Sequence, residues 1–377
     1  KSLAGGGVAF KLAQGLLRNR RCPLSEKERE IKEKWLLDLV AISTVADMVE
    51  LTGENRILVT YGLLVLQKNR RLGLQTLFEV AQIDPKTITA EAISFRIAPR
   101  INAAGRMDHA NTAYMLLRAE DPAEAKRLAT LLESQNKERQ VATERMFRAA
   151  KEQADNNHKV VIVFDREWTA GLTGLLAGKL VKEYGKPAFA IGFDGERLVG
   201  SGRAPDGISV MEGIVTVKQR FISFGGHPQA CGFRYSETEH DSIIEELYAF
   251  FDTKLKNDTP VSSLRADCEI AFTDITWDLV DMLDRFEPFG QGNPEPVFFT
   301  RSVEVVDAKY VGKSLTHLKL SLQHTNKRIN AIAFSTPGLQ LTNGSSIDVL
   351  YAISINEWNS NRDIQLRIIS IIPHEQR

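Results

Sequence analysis

Between Pro122 and Gly171 the chain contains neither proline nor glycine, and this run constrains the fold more than any other feature. Asp121 offers an N-cap and Pro122 a ready first turn, so the spacing predicts one helix over about 122–156. The centre of that helix, Ser134 to Gln140, is wholly polar, while both ends carry apolar residues. A helix polar all round at its middle suits a bar bridging two domains across solvent. The apolar run Val160-Val-Ile-Val-Phe164 follows as a buried strand.

Downstream, an apolar helix (Leu172–Tyr184) and strands at Pro187–Ile191 and Leu198–Gly202 complete a βαβ pattern. These elements predict a small α/β domain over 158–256. Asn257–Ser263 is a linker by composition. Beyond it, alternating strands are expected at Ser302–Tyr310, Leu315–Leu322, Arg328–Phe334, Ile347–Ile353 and Ile364–Ile372, with one helix at Trp277–Arg285. Residues 262–377 therefore read as a small barrel of the oligonucleotide-binding type. Upstream, 1–120 is helical. Val8, Leu12 and Leu16 keep helical spacing, 26–40 forms a charged amphipathic helix running into the buried segment Leu36–Ile42, and further helices cover about 55–69 and 73–82. The class is multi-domain α/β.

Lys plus Arg and Asp plus Glu both number 48, so net charge is zero and a histone-like polycation is excluded. A nucleic-acid partner would need a local basic surface. Cys22, Cys231 and Cys268 are scattered and odd in number, which disfavours a zinc ribbon or disulfide framework and fits a reducing, cytoplasmic setting. No apolar run approaches the roughly 20 residues of a membrane span. Lys1-Ser-Leu-Ala-Gly-Gly-Gly7 reads as the middle of a longer chain.

Phe95 to Arg106 gathers Arg96, Arg100, Asn102 and Arg106 on a segment punctuated by Pro99 and Gly105, with no clean period. Guanidiniums on such a loop suit phosphate, each presenting two parallel donors. Equally, the arginines could pair with nearby carboxylates. Asp47 follows an apolar run, where an acid can ligate Mg²⁺ or Mn²⁺ or simply cap a helix. Gly200-Ser-Gly-Arg203 closes a strand, with glycines that would let backbone approach a ligand and Ser201 and Arg203 as phosphate donors; a plain turn is the alternative. In Phe224-Gly-Gly-His227, Gly225 and Gly226 free the imidazole to be aimed into a cleft, and the apolar flanks argue against a surface hairpin. Gly5-Gly-Gly7 lacks phosphate-loop spacing and serves helix entry, while Glu287–Pro296 is a rigid connector.

The order AISTVADMVEL, APRINAAGRM, a long helix, GSGRAP, GGHPQACGF and LDRFEPFGQGNPEPVF resembles the RecJ family of DHH phosphoesterases over essentially the whole chain. The resemblance implies the C-terminal part of a DHH catalytic domain (1–120), a connecting helix (121–157), a DHH-associated domain and an oligonucleotide-binding barrel. It implies an exonuclease that degrades single-stranded DNA from the 5′ end with two Mn²⁺ or Mg²⁺ ions, in DNA repair and recombination. By position Asp47 would be a metal ligand and His227 would face the metals. Arg100, Asn102 and Arg106 would hold the DNA backbone, and Ser201 and Arg203 the 5′ end. Lys309, Tyr310, Lys313, His317 and Lys319 would track the strand on the barrel. A monomer without membrane attachment is expected, and contact with a single-strand-binding protein belongs to the family's expectations. The family's DxD and DHH motifs occur nowhere here, and Trp168-Thr-Ala-Gly171 lacks an expected histidine. The chain should therefore bind single strands yet cleave poorly. Two rival readings are a DHH-type phosphodiesterase of short oligonucleotides or cyclic dinucleotides, which would not need the barrel, and a non-catalytic binding scaffold.

Overall fold

The structure is a computed structural model that describes residues 3–107, 111–256, 264–312, 315–336, 338–358 and 361–373. The first half is helical: α1 (Gly5–Leu17), α2 (Glu26–Trp35), α3 (Leu37–Ala46), α4 (Gly53–Lys68), α5 (Leu72–Val80), α6 (Ala90–Ala92), α7 (Ala98–Met107), α8 (Asn111–Arg118) and α9 (Pro122–Gln153). Then come β1 (Val161–Thr169), α10 (Thr173–Tyr184), β2 (Ala188–Phe193), β3 (Leu198–Arg203), α11 (Val210–Thr216), β4 (Phe221–His227), β5 (Ala230–Tyr235) and α12 (His240–Lys254). The C-terminal part holds β6 (Cys268–Glu269), α13 (Trp277–Asp284), β7 (Phe298–Val311), β8 (His317–His324), β9 (Lys327–Ala333), β10 (Ser346–Trp358) and β11 (Asn361–Pro373). Two units emerge: 1–68 with 86–94 and 263–377, and 69–85 with 95–262. The 257–263 linker lies outside the described residues.

In the first unit α1 and α4 pack on α3, a helix apolar at nearly every position. The expected 8–18 helix forms, but its stripe is turned outward. Val8, Leu12 and Leu16 are exposed, while Gly7 and Phe10 are buried. Close approach to α3 decides this: the Gly6 amide donates to Ser43 Oγ at 3.1 Å, and a β-carbon on Gly6 would collide with Ser43. The 26–40 helix is in fact two, since α2 opens on a Ser25–Glu28 capping box and ends at Leu36.

The C-terminal strands close a barrel. Sheet order is β10-β11-β9-β8-β7-β6, and β10 also pairs with β7, so β7 to β11 form a closed ring with β9 and β11 parallel. Alternation sends Leu318, Leu320 and Leu322 inward against Ile329, Ala331, Val349 and Leu366. Phe272 and Ile275, just before α13, are fully buried in the same core. The 287–296 connector is structural, as expected. Its Gln291 carbonyl accepts from the Leu51 amide at 2.7 Å, and Arg56 donates to the Arg285 and Glu287 carbonyls.

In the second unit α9 is one helix of 32 residues capped by Asp121. It is not a bare bar across solvent. Gln135 and Asn136 at its polar centre are buried, its N-terminal half carries α5, α7 and α8, and its C-terminal half packs on β1 and α10. Asn136 Oδ1 accepts from Arg139 one turn on in the same helix, and the preceding Glu133 meets Arg100 of α7, contacts that periodicity alone could not reveal. Beyond α9 a five-stranded sheet has order β1-β2-β3-β5-β4, parallel only between β1 and β2. One face carries α11 and α12 over Phe189, Phe233 and Tyr235, with Phe251 of α12 against Phe189. The other carries α10 over Val161, Val163, Ala188 and Ala190.

Candidate functional site

Strand alternation sorts the residues of Gly200-Ser-Gly-Arg203 onto opposite faces. Gly200 and Gly202 point into the aromatic core, where a β-carbon would strike the Phe233 ring in one case and Cys231 and Phe189 in the other. They are glycine to admit aromatic rings, not a ligand. Ser201 and Arg203 point to the α10 face.

On that face the strand registers place Ser201 beside Gly232 and Gly232 beside Gly225. The next row runs Arg203, Ala230, His227. With strands about 4.8 Å apart, the Arg203 and His227 backbones lie roughly 10 Å from each other across Ala230. Helix α10 covers β1 to β3 and leaves this end of the sheet open: Gly225, Gly232 and His227 are exposed. The result is a flat floor of glycine and alanine, walled by Arg203 on one side and His227 on the other.

GGH is, contrary to expectation, a surface hairpin joined through Pro228-Gln229, and β4 is the sheet's edge strand. The apolar residues that flank the motif belong mainly to β5, whose alternate positions Cys231, Phe233 and Tyr235 face inward. Burial holds the Cys231 thiol up at about 11, so it is not a nucleophile here. Gly226 sits at φ 152°, and a β-carbon there would strike the Ala230 carbonyl, so this position admits only glycine.

The N-terminus of α10 supplies the third wall. Thr173 Oγ1 lies 2.9 Å from the Ala170 carbonyl and 3.0 Å from Ser201 Oγ. Thr173 has one hydroxyl proton and gives it to the carbonyl, so Ser201 donates to Thr173. Ser201 is thus a restrained hydroxyl, and Arg203 Nη1 donates to the Gly202 carbonyl at 2.8 Å while its Nη2 is aimed at the N-terminal end of α10. Gly174 faces the same place: a β-carbon there would sit 3.0 Å from Arg203 Nη2 and 3.5 Å from Ser201 Oγ. Sequence reasoning missed Gly174. Its signal was a glycine at the second position of a helix that follows a strand.

The arginine segment is helical, not a loop. A π-helical turn, Ile93–Ile97, runs into α7, where Pro99 falls in the first turn and needs no amide partner. Ala103 and Ala104 are buried, and α7 packs on α9. Arg100 Nε donates to Glu133 Oε2 at 2.6 Å with both side chains largely buried, and Arg100 Nη1 also reaches the Arg96 carbonyl. Arg96 donates to the Gln82 carbonyl at 2.7 Å. Pairing therefore claims Arg96 and Arg100, whereas Asn102 is exposed. The Arg106 side chain lies outside the described residues. Helix α7 also packs beside the Ala170–Leu172 turn that leads into α10, which brings it near the Thr173 end of the floor.

Asp47 belongs to the other unit, where it is the exposed C-cap of α3. On the barrel, Lys309 and Lys319 stand directly opposite each other and exposed, Lys313 lies outside the described residues, and His317 packs on Phe334. The Tyr310 hydroxyl lies within hydrogen-bond distance of the Thr336 and Leu339 carbonyls and donates to one of them, and its ring packs against the barrel core, which removes it as a stacking platform.

Two family models match this chain: the DHHA1 domain over 157–255 and the RecJ OB domain over 266–370. The single-stranded-DNA-specific exonuclease RecJ of Escherichia coli is 30% identical over 394 residues, an alignment that takes in 99% of this chain and 68% of that protein. The chain belongs to the RecJ family. The Bacillus subtilis RecJ is 33% identical over 375 residues, and there the chain spans 46% of its relative. The crystal structure of Thermus thermophilus RecJ with Mg²⁺ superposes with a TM-score of 0.83 at 28% identity, covering 98% of this chain and 56% of that one. A second structure of that protein contains Mn²⁺. The chain thus spans about half the length of these two relatives. No helix among the described residues is long and apolar enough to cross a membrane.

Proposed function

We propose that the chain is the strand-docking and single-strand-binding part of a 5′-to-3′ exonuclease that hydrolyses single-stranded DNA to nucleoside 5′-monophosphates. The observation that carries this reading is the open floor of Gly225, Gly232 and Ala230, walled by Arg203, the Gly174 end of α10 and His227. A floor with no side chain larger than the Ala230 methyl admits a sugar-phosphate backbone edge-on. Arg203 and the helix N-terminus bind the terminal phosphate, which fixes polarity and the register of cleavage. His227, on the opposite wall, faces the next phosphate and neutralises charge that develops there. The barrel holds the trailing strand, largely without sequence preference.

The relatives' metals, Mg²⁺ or Mn²⁺, activate water and stabilise the leaving oxygen when bound. Among the described residues no three His, Cys, Asp or Glu side chains gather closely enough to hold a cation. A two-metal centre does not fit these residues alone, and Asp47 is at most one ligand of a larger set. The same reading divides the chain at 1–120, 121–157, 158–256 and 262–377, and makes it a cytoplasmic monomer that works beside a single-strand-binding protein. The 377-residue chain should therefore bind oligothymidylate with strong salt dependence and release almost no mononucleotide with either cation. Failure to bind single strands, or rapid cation-dependent degradation by this chain alone, contradicts the proposal.

A further inference from the structure

One cleft on the barrel opens beyond the Asn330 side of the Lys309–Lys319 pair. It measures about 490 Å³ and lies between Ile275–Trp277, the start of β9 (Lys327–Asn330) and the start of β11 (Arg362–Ile364). Its floor is barrel core, for Ile275 is fully buried and Ile329 nearly so. Its rim is charged and aromatic. Trp277, the first residue of α13, is exposed, and the Arg362 guanidinium lies 5.2 Å from the centre of its ring. Arg328 and Asn330 project from alternate exposed positions of β9, on one face of the strand. Lys327 is tied down, donating to the Ile275 carbonyl at 2.5 Å. Asp363 is the single acid against three cations.

A helix that only capped the barrel would turn an apolar residue inward at its start, and Phe272 and Ile275 already do so. Trp277 adds nothing to that core. An exposed indole with the Arg362 guanidinium over its ring and Arg328 lining the same cleft has the composition of a stacking platform with its phosphate clamps. The volume is in the range of pockets that hold one small ligand. Asn330, an amide at the end of the platform, can meet the edge of a base without selecting one.

We propose that this cleft is a single-nucleotide station on the trailing strand: a base stacks on Trp277, and Arg328 and Arg362 hold the phosphates on either side. The proposal rests on the reading that the barrel binds single-stranded DNA, and it names the place. The Lys309–Lys319 pair supplies diffuse charge; the Trp277 cleft supplies the ordered contact.

The test is fluorescence anisotropy of labelled oligothymidylate with the 377-residue chain, across a salt series, for the unaltered protein, Trp277→Ala, Trp277→Phe and Arg328→Ala/Arg362→Ala. Loss of a stacked base weakens binding by about 5- to 150-fold, so Trp277→Ala should fall in that range and Trp277→Phe should recover most of it. The double arginine variant should lower the slope of log affinity against log salt by about 1.4. Thermal melts confirm that each variant folds. If the unaltered chain fails to bind, the functional reading itself is wrong. If it binds and all the cleft variants bind equally well, the station is refuted. A poly-glutamate peptide that binds in a Trp277-dependent way, while oligonucleotide affinity is indifferent to Trp277, refutes it in favour of an acidic peptide partner.

Discussion

Gly174→Ala separates the needs of the fold from those of the floor. The residue lies at the second position of α10, where alanine is a better helix former than glycine and restricts the unfolded chain more. Stability should therefore hold or rise by up to about 1 kcal/mol. The added methyl would stand 3.0 Å from Arg203 Nη2 and 3.7 Å from its Cζ, so the guanidinium must shift by a few tenths of an ångström. A charge-assisted hydrogen bond contributes about 1.5–3 kcal/mol at its proper length. Losing half of it weakens binding of a terminal phosphate by about 0.75–1.5 kcal/mol, roughly 3- to 12-fold. Urea unfolding and anisotropy with a 5′-phosphorylated strand read the two quantities on one sample. A more stable protein that docks the phosphate less well is the expected pairing. Unchanged affinity would show that the space above Gly174 is not where the anion lies.

Arg203→Ala should cost far more affinity for that phosphate than Ser201→Ala, because the Ser201 proton is already given to Thr173; equal losses in anisotropy would overturn the proton assignment. Glu133→Ala strands Arg100 in a largely buried place and should destabilise by about 2–4 kcal/mol in urea, whereas Arg100→Met with Glu133→Leu should recover most of the loss. If Arg100→Ala instead leaves stability alone and lowers the salt slope of DNA binding, the arginine serves phosphate after all. Burial lowers the proton affinity of His240, which accepts or donates a 2.8 Å hydrogen bond with Tyr235. A histidine kept neutral by the fold contributes stability that is complete above its unfolded pKa of about 6.5 and is lost as pH falls below it. Between about pH 7.5 and 5.5 the unaltered chain should lose more stability in urea than His240→Gln. Parallel declines would remove His240 from the account.

The architecture was largely legible because its signals are local. A proline at one end of a long Gly- and Pro-free run marks α9, and period-2 alternation marks the barrel strands. What failed depended on partners distant in sequence. Gln135 and Asn136 look solvated until the helices packed along α9 are seen to bury them, and Val8, Leu12 and Leu16 look buried until Gly6 is seen against Ser43. Gly200 and Gly202 suggested a ligand, yet rings from β2 and β5 fill the space. The apolar run around GGH hid a hairpin, because one strand's inward residues were credited to both. Arg203 and His227 were each visible as unusual residues, but only strand register shows that they share one row. Trp277 went unnoticed, since a tryptophan opening a helix is ordinary until its ring is found beside Arg362.

The account turns on Arg203 gripping the phosphate at a strand's 5′ end. Strands of identical sequence and charge, phosphorylated at either the 5′ or the 3′ terminus, isolate that step. The unaltered chain should bind the 5′-phosphorylated strand several-fold more tightly, and Arg203→Ala should erase the difference. Equal affinity for the two strands, or a 5′ preference that survives Arg203→Ala, would contradict the account.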